Sequence, residues 1–255
     1  MKFVGIIPAR YASTRFPGKP LAMLGGKTVI QRVYEQVKDC FDDLYVATDD
    51  ERIASCVNEF GGKYVMTSPD CKNGTERCLD AYKNLNLQCD VIVNIQGDEP
   101  FIQRKQVDAL MACFDSAETD IATLVKPFEK ADGLERLECP NSPKVIMNAD
   151  GFAIYFSRSV IPYLRGVEKE QWLDNHVFYK HLGIYAYRTD VLKEITVLEQ
   201  SPLEKVESLE QLRWLENGYK IKVGITDIET IGIDTPEDLE RAKKFAASIG
   251  LSWND

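Results

Sequence analysis

Between Lys2 and Ile95 the chain alternates short apolar runs with stretches of helical periodicity. Lys2–Ile7, Leu44–Thr48, Lys63–Thr67 and Val91–Ile95 are apolar runs of strand length. Thr28–Cys40, Asp50–Phe60 and Thr75–Leu85 repeat apolar residues at helical spacing, as in Val29, Ile30, Val33 and Val37. Asp49 precedes the second helix, and Thr75 or the preceding Asn73-Gly74 opens the third, all residue types that cap helices. This alternation predicts βαβ units and a mostly parallel sheet. Ligands of such sheets bind beyond the carboxyl ends of the strands. The loops after Ile7, Thr48 and Ile95 are therefore expected along one edge.

From Ile121 the pattern changes. Ile121–Val125, Lys144–Met147, Phe152–Phe156 and Leu182–Tyr187 read as strands with fewer helices between them, an antiparallel extension. Residues 158–180 are polar, aromatic and weakly periodic, which predicts a mobile loop or flap. Helices return near Pro202–Glu216 and Pro236–Ser248, around a strand at Lys220–Ile225. With no repeat, low-complexity tract or Pro/Gly-rich linker, the expectation is one α/β domain over residues 1–255. A smaller antiparallel insertion lies roughly within 121–187.

Composition narrows the partners. A chain of 255 residues buries enough surface for a full core without metal or disulfide support. A net charge of −9 argues against duplex nucleic acid, which wants a basic face. It leaves room for an anionic substrate, because charges beyond about 8 Å are screened at physiological salt and a local basic cluster dominates. Seven scattered cysteines, never in a Cys-x-x-Cys pair, suit a reduced cytoplasm with most of them as small core residues. Only two histidines, His176 and His181, argue against a structural zinc site. The N-terminal apolar run is too short for a signal peptide, and no stretch approaches the roughly 18 apolar residues of a membrane span. The expectation is a soluble cytoplasmic protein with no membrane insertion.

The stretch "FVGIIPARYASTRFPGKP" (3–20) follows its apolar run with Arg10, Arg15 and Lys19 among small residues. It is neither a Gly-x-x-x-x-Gly-Lys-[Ser/Thr] loop nor a Gly-x-Gly-x-x-Gly turn, so a P-loop kinase is excluded. Three cations here can meet a triphosphate, each close pair having roughly 4 kcal/mol of Coulomb energy before desolvation. The plainer reading is a solvated loop with surface ion pairs worth about 0–1 kcal/mol each. Two acidic turns raise a similar choice. In "VIVNIQGDEP" (91–100), Asp98 either holds Mg²⁺ beyond a strand end or caps the helix at 103–115. In "GIDTPEDLE" (232–240), Asp234 either joins it or serves as an N-cap before Pro236. Further along, "NGTERC" offers Arg77, "YFSRSVIP" Arg158, and "KHLGIYAYR" His181 and Tyr185. "SPLEKVESLEQLRWLENG" offers Glu207, Glu210 and Gln211, which share a face in a helix starting near Leu203. Each has an ordinary structural alternative as a strand-edge residue or a charged helix face.

Taken whole, "PARYASTRFPGKPL" resembles the Pro-Ala-Arg-x-x-Ser-x-Arg-x-Pro-x-Lys signature of sugar-activating cytidylyltransferases. "NIQGDEP", "GIDTPEDLE" and the segments around Arg158, His181 and Glu207 resemble the 3-deoxy-manno-octulosonate (Kdo) cytidylyltransferase family over nearly the whole chain. The resemblance implies a Rossmann-like, mostly parallel sheet flanked by helices, as in nucleotide-diphospho-sugar transferases. It implies CTP and an acidic 3-deoxy sugar as substrates, CMP-Kdo and pyrophosphate as products, and a place in lipopolysaccharide synthesis. Arg10, Arg15, Lys19 and Asp98 would be catalytic. Ala9, Arg10, Ser13, Arg15, Lys19, Arg77 and Gln96 would bind the nucleotide, with Arg77 and the Ala9 backbone at cytosine. Gln96, Arg158, His181, Tyr185, Glu207, Glu210 and Gln211 would bind the sugar. Asp98 and Asp234 would ligate Mg²⁺. A homodimer through residues 121–187 is also implied. Two alternatives stand beside this reading: a cytidylyltransferase for sialic acid or amino-Kdo, and a non-catalytic nucleotide-binding homologue. Retention of both Asp98 and Asp234 argues against the second.

Overall fold

In the computed structural model, which describes residues 1–228 and 231–251, the first apolar run is strand β1 (Phe3–Ala9). Val4, Ile6 and Ile7 are fully buried, as befits a parallel strand covered on both faces. There follow α1 (Val29–Val37), β2 (Leu44–Thr48), α2 (Glu51–Glu59), β3 (Tyr64–Met66), α3 (Gly74–Asn84), β4 (Val91–Asn94) and α4 (Arg104–Ala112). The four strands are parallel in the order β3-β2-β1-β4. The register sets Ala9 beside Thr48 and Thr48 beside Met66, so neighbouring strands end together along one edge. Met1–Val107 and the described C-terminal residues 231–251 form one compact unit.

Residues from Asp108 onwards, up to Ile228 among those described, form a second unit. Its elements are β5 (Ile121–Pro127), α5 (Gly133–Glu138), β6 (Lys144–Met147), β7 (Ala153–Ser157), α6 (Trp172–Asn175), β8 (Tyr179–Arg188), α7 (Thr189–Ile195), α8 (Pro202–Glu207), α9 (Glu210–Glu216) and β9 (Ile221–Ile225). β5 runs antiparallel to β8 and parallel to β9, and β6 lies antiparallel to β7 and β8. Two expectations change here. Residues 158–180 are not an open flap, because Trp172 and Phe178 are buried with Leu137 in a small core of their own. The apolar residues of that core are irregularly spaced, so no period announces it. The helix expected over Pro202–Glu216 is two helices, broken where Ser208 takes a left-handed conformation (φ 51°, ψ 48°).

The chain then returns to the first unit with α10 (Pro236–Ser248). Ile233, Ala242 and Ala246 are buried with Leu24, Val29 and Phe101. Its cap is Thr235, whose hydroxyl accepts from the Asp238 backbone while Asp238 accepts from the Thr235 backbone. Asp234 is therefore not the cap. Likewise Asp50, not Asp49, caps α2, and Asn73 caps α3. The seven cysteines are thiols rather than disulfides, and of them Cys78 and Cys113 are buried. No helix among the described residues is long and apolar enough to cross a membrane.

Candidate active site

The loop after β1 folds around Tyr11. The Gly18 and Ser13 amides donate to its carbonyl, and the Arg52 guanidinium lies 3.3 Å from its ring centroid. Gly18 adopts φ +72°, and a Cβ there would meet the Tyr11 ring at 3.1 Å. This fold turns Arg10, Ser13, Arg15 and Lys19 onto a cleft of about 380 Å³. Lys72 to Gly74 and Arg77 from the start of α3, the turn Gln96–Asp98, and Asp234 line the same cleft.

Two acidic turns meet there. The Ile233 amide donates to the Asp98 carbonyl at 2.9 Å, holding the turns side by side. Gly97 packs so closely that a Cβ would sit 2.7 Å from the Pro8 carbonyl oxygen. Lys19 Nζ lies 2.6 Å from Asp98 Oδ2 and 3.1 Å from Asp234 Oδ1, and Arg15 reaches Asp234 Oδ2 at 3.1 Å. Burial alone would lower the Lys19 pKa. The charges and hydrogen bonds of Asp98 and Asp234 outweigh it and hold the ammonium above the ordinary lysine value. One cation within reach of both carboxylates marks a position that suits a small divalent ion. Among the described residues there is no cluster of three or more metal-ligating side chains. Two carboxylates with open positions fit Mg²⁺, which keeps water and substrate phosphates as its other ligands.

Arg77 lies on the wall of the cleft with only 3% exposure. Its Nη1 donates to Thr67 Oγ1 at 2.6 Å and its Nη2 to Asp49 Oδ2 at 3.2 Å.

In the second unit the expected sugar-side residues divide into two groups. His181 and Tyr185 are buried, with ring centroids 5.3 Å apart, and Tyr185 meets Trp214 of α9 at 5.1 Å. The single Thr123 hydroxyl proton goes to the Ile184 carbonyl at 2.7 Å, so His181 Nε2 donates to Thr123 Oγ1 at 3.0 Å. Gln211 is also buried, and among the described residues Gln211 Nε2 and Trp214 Nε1 lack hydrogen-bond partners. Arg158 and Glu207 instead hold each other. Glu207 accepts from Ser157 Oγ and the Arg158 amide, while Arg158 donates to the carbonyls of Glu207, Pro140 and Ser208. Glu210 accepts from Arg213 at 2.8 Å. The break at Ser208 puts Glu207 on α8 and Glu210 on α9, so they do not share one helical face.

A 3-deoxy-manno-octulosonate cytidylyltransferase of Phocaeicola vulgatus is 67% identical over 245 residues, covering 96% of this chain and 97% of the relative. The chain belongs to the 3-deoxy-manno-octulosonate cytidylyltransferase family. The Cytidylyltransferase family model matches residues 4–221. The mitochondrial 3-deoxy-manno-octulosonate cytidylyltransferase of Arabidopsis thaliana is 43% identical over 254 residues, 98% of this chain and 85% of the relative. A solved CMP:2-keto-3-deoxy-manno-octonic acid synthetase complexed with CTP matches with a TM-score of 0.88 at 39% identity, over 98% of this chain and all of that one.

In this cytidylyltransferase the cleft gathers Ala9, Arg10, Ser13, Arg15, Lys19, Arg77, Gln96, Asp98 and Asp234, the nucleotide- and metal-side residues expected from sequence. Sequence reading missed Thr14 and Lys72, which line the same cleft. Lys72 stands directly before the Asn73 cap of α3, and a cation ahead of a helix start beside a basic loop was the available signal. Asp49 and Thr67 gave no signal, because their role depends on which buried side chain stands behind them.

Proposed function

We propose that the chain transfers CMP from CTP to the anomeric hydroxyl of 3-deoxy-D-manno-octulosonate, giving CMP-Kdo and pyrophosphate. The observation that carries this reading is end-to-end identity of up to 67% with relatives of that name. The cleft supports it, with its basic loop facing the Asp98 and Asp234 carboxylates. Arg10, Arg15 and Lys19 bind the triphosphate, and Arg15 and Lys19 neutralise charge that gathers on the departing pyrophosphate. The sugar hydroxyl attacks the α-phosphorus in line. A new O–P bond forms as the bond to the β-phosphate oxygen breaks, and the hydroxyl proton leaves to solvent. Asp98 and Asp234 would hold Mg²⁺, which when bound lowers the pKa of the attacking hydroxyl and neutralises phosphate charge. Ala9 and Arg77 contact the base, and Gln96 lies on the sugar side of the nucleotide. In the second unit, His181, Tyr185, Glu210 and Gln211 are the residues read as sugar contacts. Gln211 Nε2, buried and without a partner among the described residues, supports that reading. Arg158 and Glu207 are read as sugar contacts with them, and they also fix the end of β7 to the end of α8.

The rest of the reading is a cytoplasmic homodimer whose product feeds lipopolysaccharide assembly. Cysteines kept as thiols rather than disulfides support a reducing compartment. Ile154, 57% exposed on β7, a strand whose pairing among the described residues is with β6, supports a two-fold contact in the antiparallel segment. A coupled pyrophosphate assay with CTP, Mg²⁺ and a panel of 2-keto-3-deoxy sugar acids tests the reaction. Turnover is expected with Kdo, and turnover only with sialic acid or an amino-substituted sugar would overturn the substrate. CTP binding without turnover on any acid would overturn the activity.

A further inference from the structure

Asp49 stands at the carboxyl end of β2 but takes no part in starting α2, which Asp50 caps. Its carboxylate pairs instead with Arg77, whose other terminal nitrogen is taken by Thr67. Thr67 follows β3, and the parallel register that sets Thr48 beside Met66 brings the two strand ends together behind Arg77. Neither Asp49 nor Thr67 lines the cleft, whereas Arg77 does. A guanidinium as buried as this one persists only with a counter-charge and hydrogen bonds to match. A planar fork tied at both terminal nitrogens also has its plane fixed, which a lysine could not reproduce.

We propose that Asp49 and Thr67 are positioning residues that lock the Arg77 guanidinium in the cleft wall and thereby set the preference for cytosine over uracil. The proposal rests on the reading of Arg77 as a base contact. Cytosine offers acceptors at N3 and O2, whereas uracil carries a proton on N3. A donor fixed at that edge is satisfied by cytosine and opposed by uracil, and a mismatched polar pair in a buried site is strongly rejected. An arginine free to rotate would accommodate either base.

The test compares CTP and UTP with the full-length protein, by equilibrium binding without sugar and by steady-state kinetics. Asp49→Asn is expected to raise the CTP Kd and KM about 10- to 100-fold, leave kcat within about threefold, and narrow the CTP/UTP preference by a similar factor. Thr67→Val, nearly isosteric, moves the same quantities in the same direction, and Thr67→Ser restores them. Asp49→Asn added to Arg77→Lys costs little more than Arg77→Lys alone, because both act through one group. If Asp49→Asn and Thr67→Val lower the melting temperature but leave CTP affinity and the CTP/UTP ratio unchanged, the positioning role is overturned. If Arg77→Lys also leaves that ratio unchanged, the base-contact reading falls with it.

Discussion

Lys19 Nζ lies 2.6 Å from Asp98 Oδ2, and the same ammonium reaches Asp234 at 3.1 Å. One side chain of the basic loop thus reaches both of the carboxylates proposed to hold a divalent cation. Lys19→Met is expected to act in opposite directions on the two ligands. Mn²⁺ affinity of the nucleotide-free protein, read by electron paramagnetic resonance, should rise about tenfold, while CTP affinity falls by at least as much. Weaker Mn²⁺ binding in the variant would remove Lys19 from the cation position.

Asp98→Asn and Asp234→Asn each remove one carboxylate charge without changing shape. Each should lower Mg²⁺-dependent pyrophosphate release about 10²- to 10³-fold. CTP binding in chelator should strengthen, since Lys19 and Arg15 lose competing anions. Near-normal turnover in either variant would take that residue out of the metal role.

Gly97 lies against the backbone of β1, where a Cβ would come 2.7 Å from the Pro8 carbonyl oxygen. A strand fixed on both sides cannot yield as a flexible side chain would. Gly97→Ala should lower stability by about 1–3 kcal/mol in urea titration and reduce turnover through the adjacent Asp98.

Burial lowers the His181 pKa to about 3, from an ordinary value of 6.5. Protonation therefore favours the unfolded chain. The stability tied to neutral His181 is complete above pH 6.5 and drains away as pH falls toward 3, by up to about 1.4 kcal/mol per pH unit. Urea titrations of wild type and His181→Asn between pH 6.5 and about 4.5 should show a shallower slope in the variant. Parallel slopes would mean that His181 titrates while folded.

Lys144 is fully buried, and its ammonium donates to the carbonyls of Cys139, Ser142 and Arg158 at 3.1, 3.0 and 2.8 Å. Lys144→Met fills similar volume but strands those acceptors, and should cost about 2–4 kcal/mol in denaturant titration. A loss below about 0.5 kcal/mol would mean that water replaces the ammonium.

Much of this was legible in the sequence because parallel strands are buried on both faces. Runs such as Val4 to Ile7 and Val91 to Ile95 could be little else. The basic side of the cleft was legible because its cations share one short loop and Asp98 closely follows a strand. What failed was choice between neighbours. Asp49 and Asp50 are equally good caps on paper, and so are Asp234 and Thr235. Only the tertiary partners, Arg77 for Asp49 and Lys19 for Asp234, decide which residue caps and which faces inward. The break at Ser208 was hidden for a different reason: serine carries no signature of a left-handed conformation, and the apolar period runs on across it. Residues 158–180 hid a small core because Trp172 and Phe178 follow no regular spacing.

Lys19 and Asp234 are 215 positions apart, and the residues between them include the whole of the second compact unit. Closing so long a connection carries an entropic cost that grows with the logarithm of its length. On the ribosome, a chain complete to Ile228 already holds its basic loop and Asp98. It lacks Asp234, the Ile233 amide that grips Asp98, and the helix that buries Ile233. The nascent protein is thus unable to bring Asp98 and Asp234 together until the segment through α10 has been made.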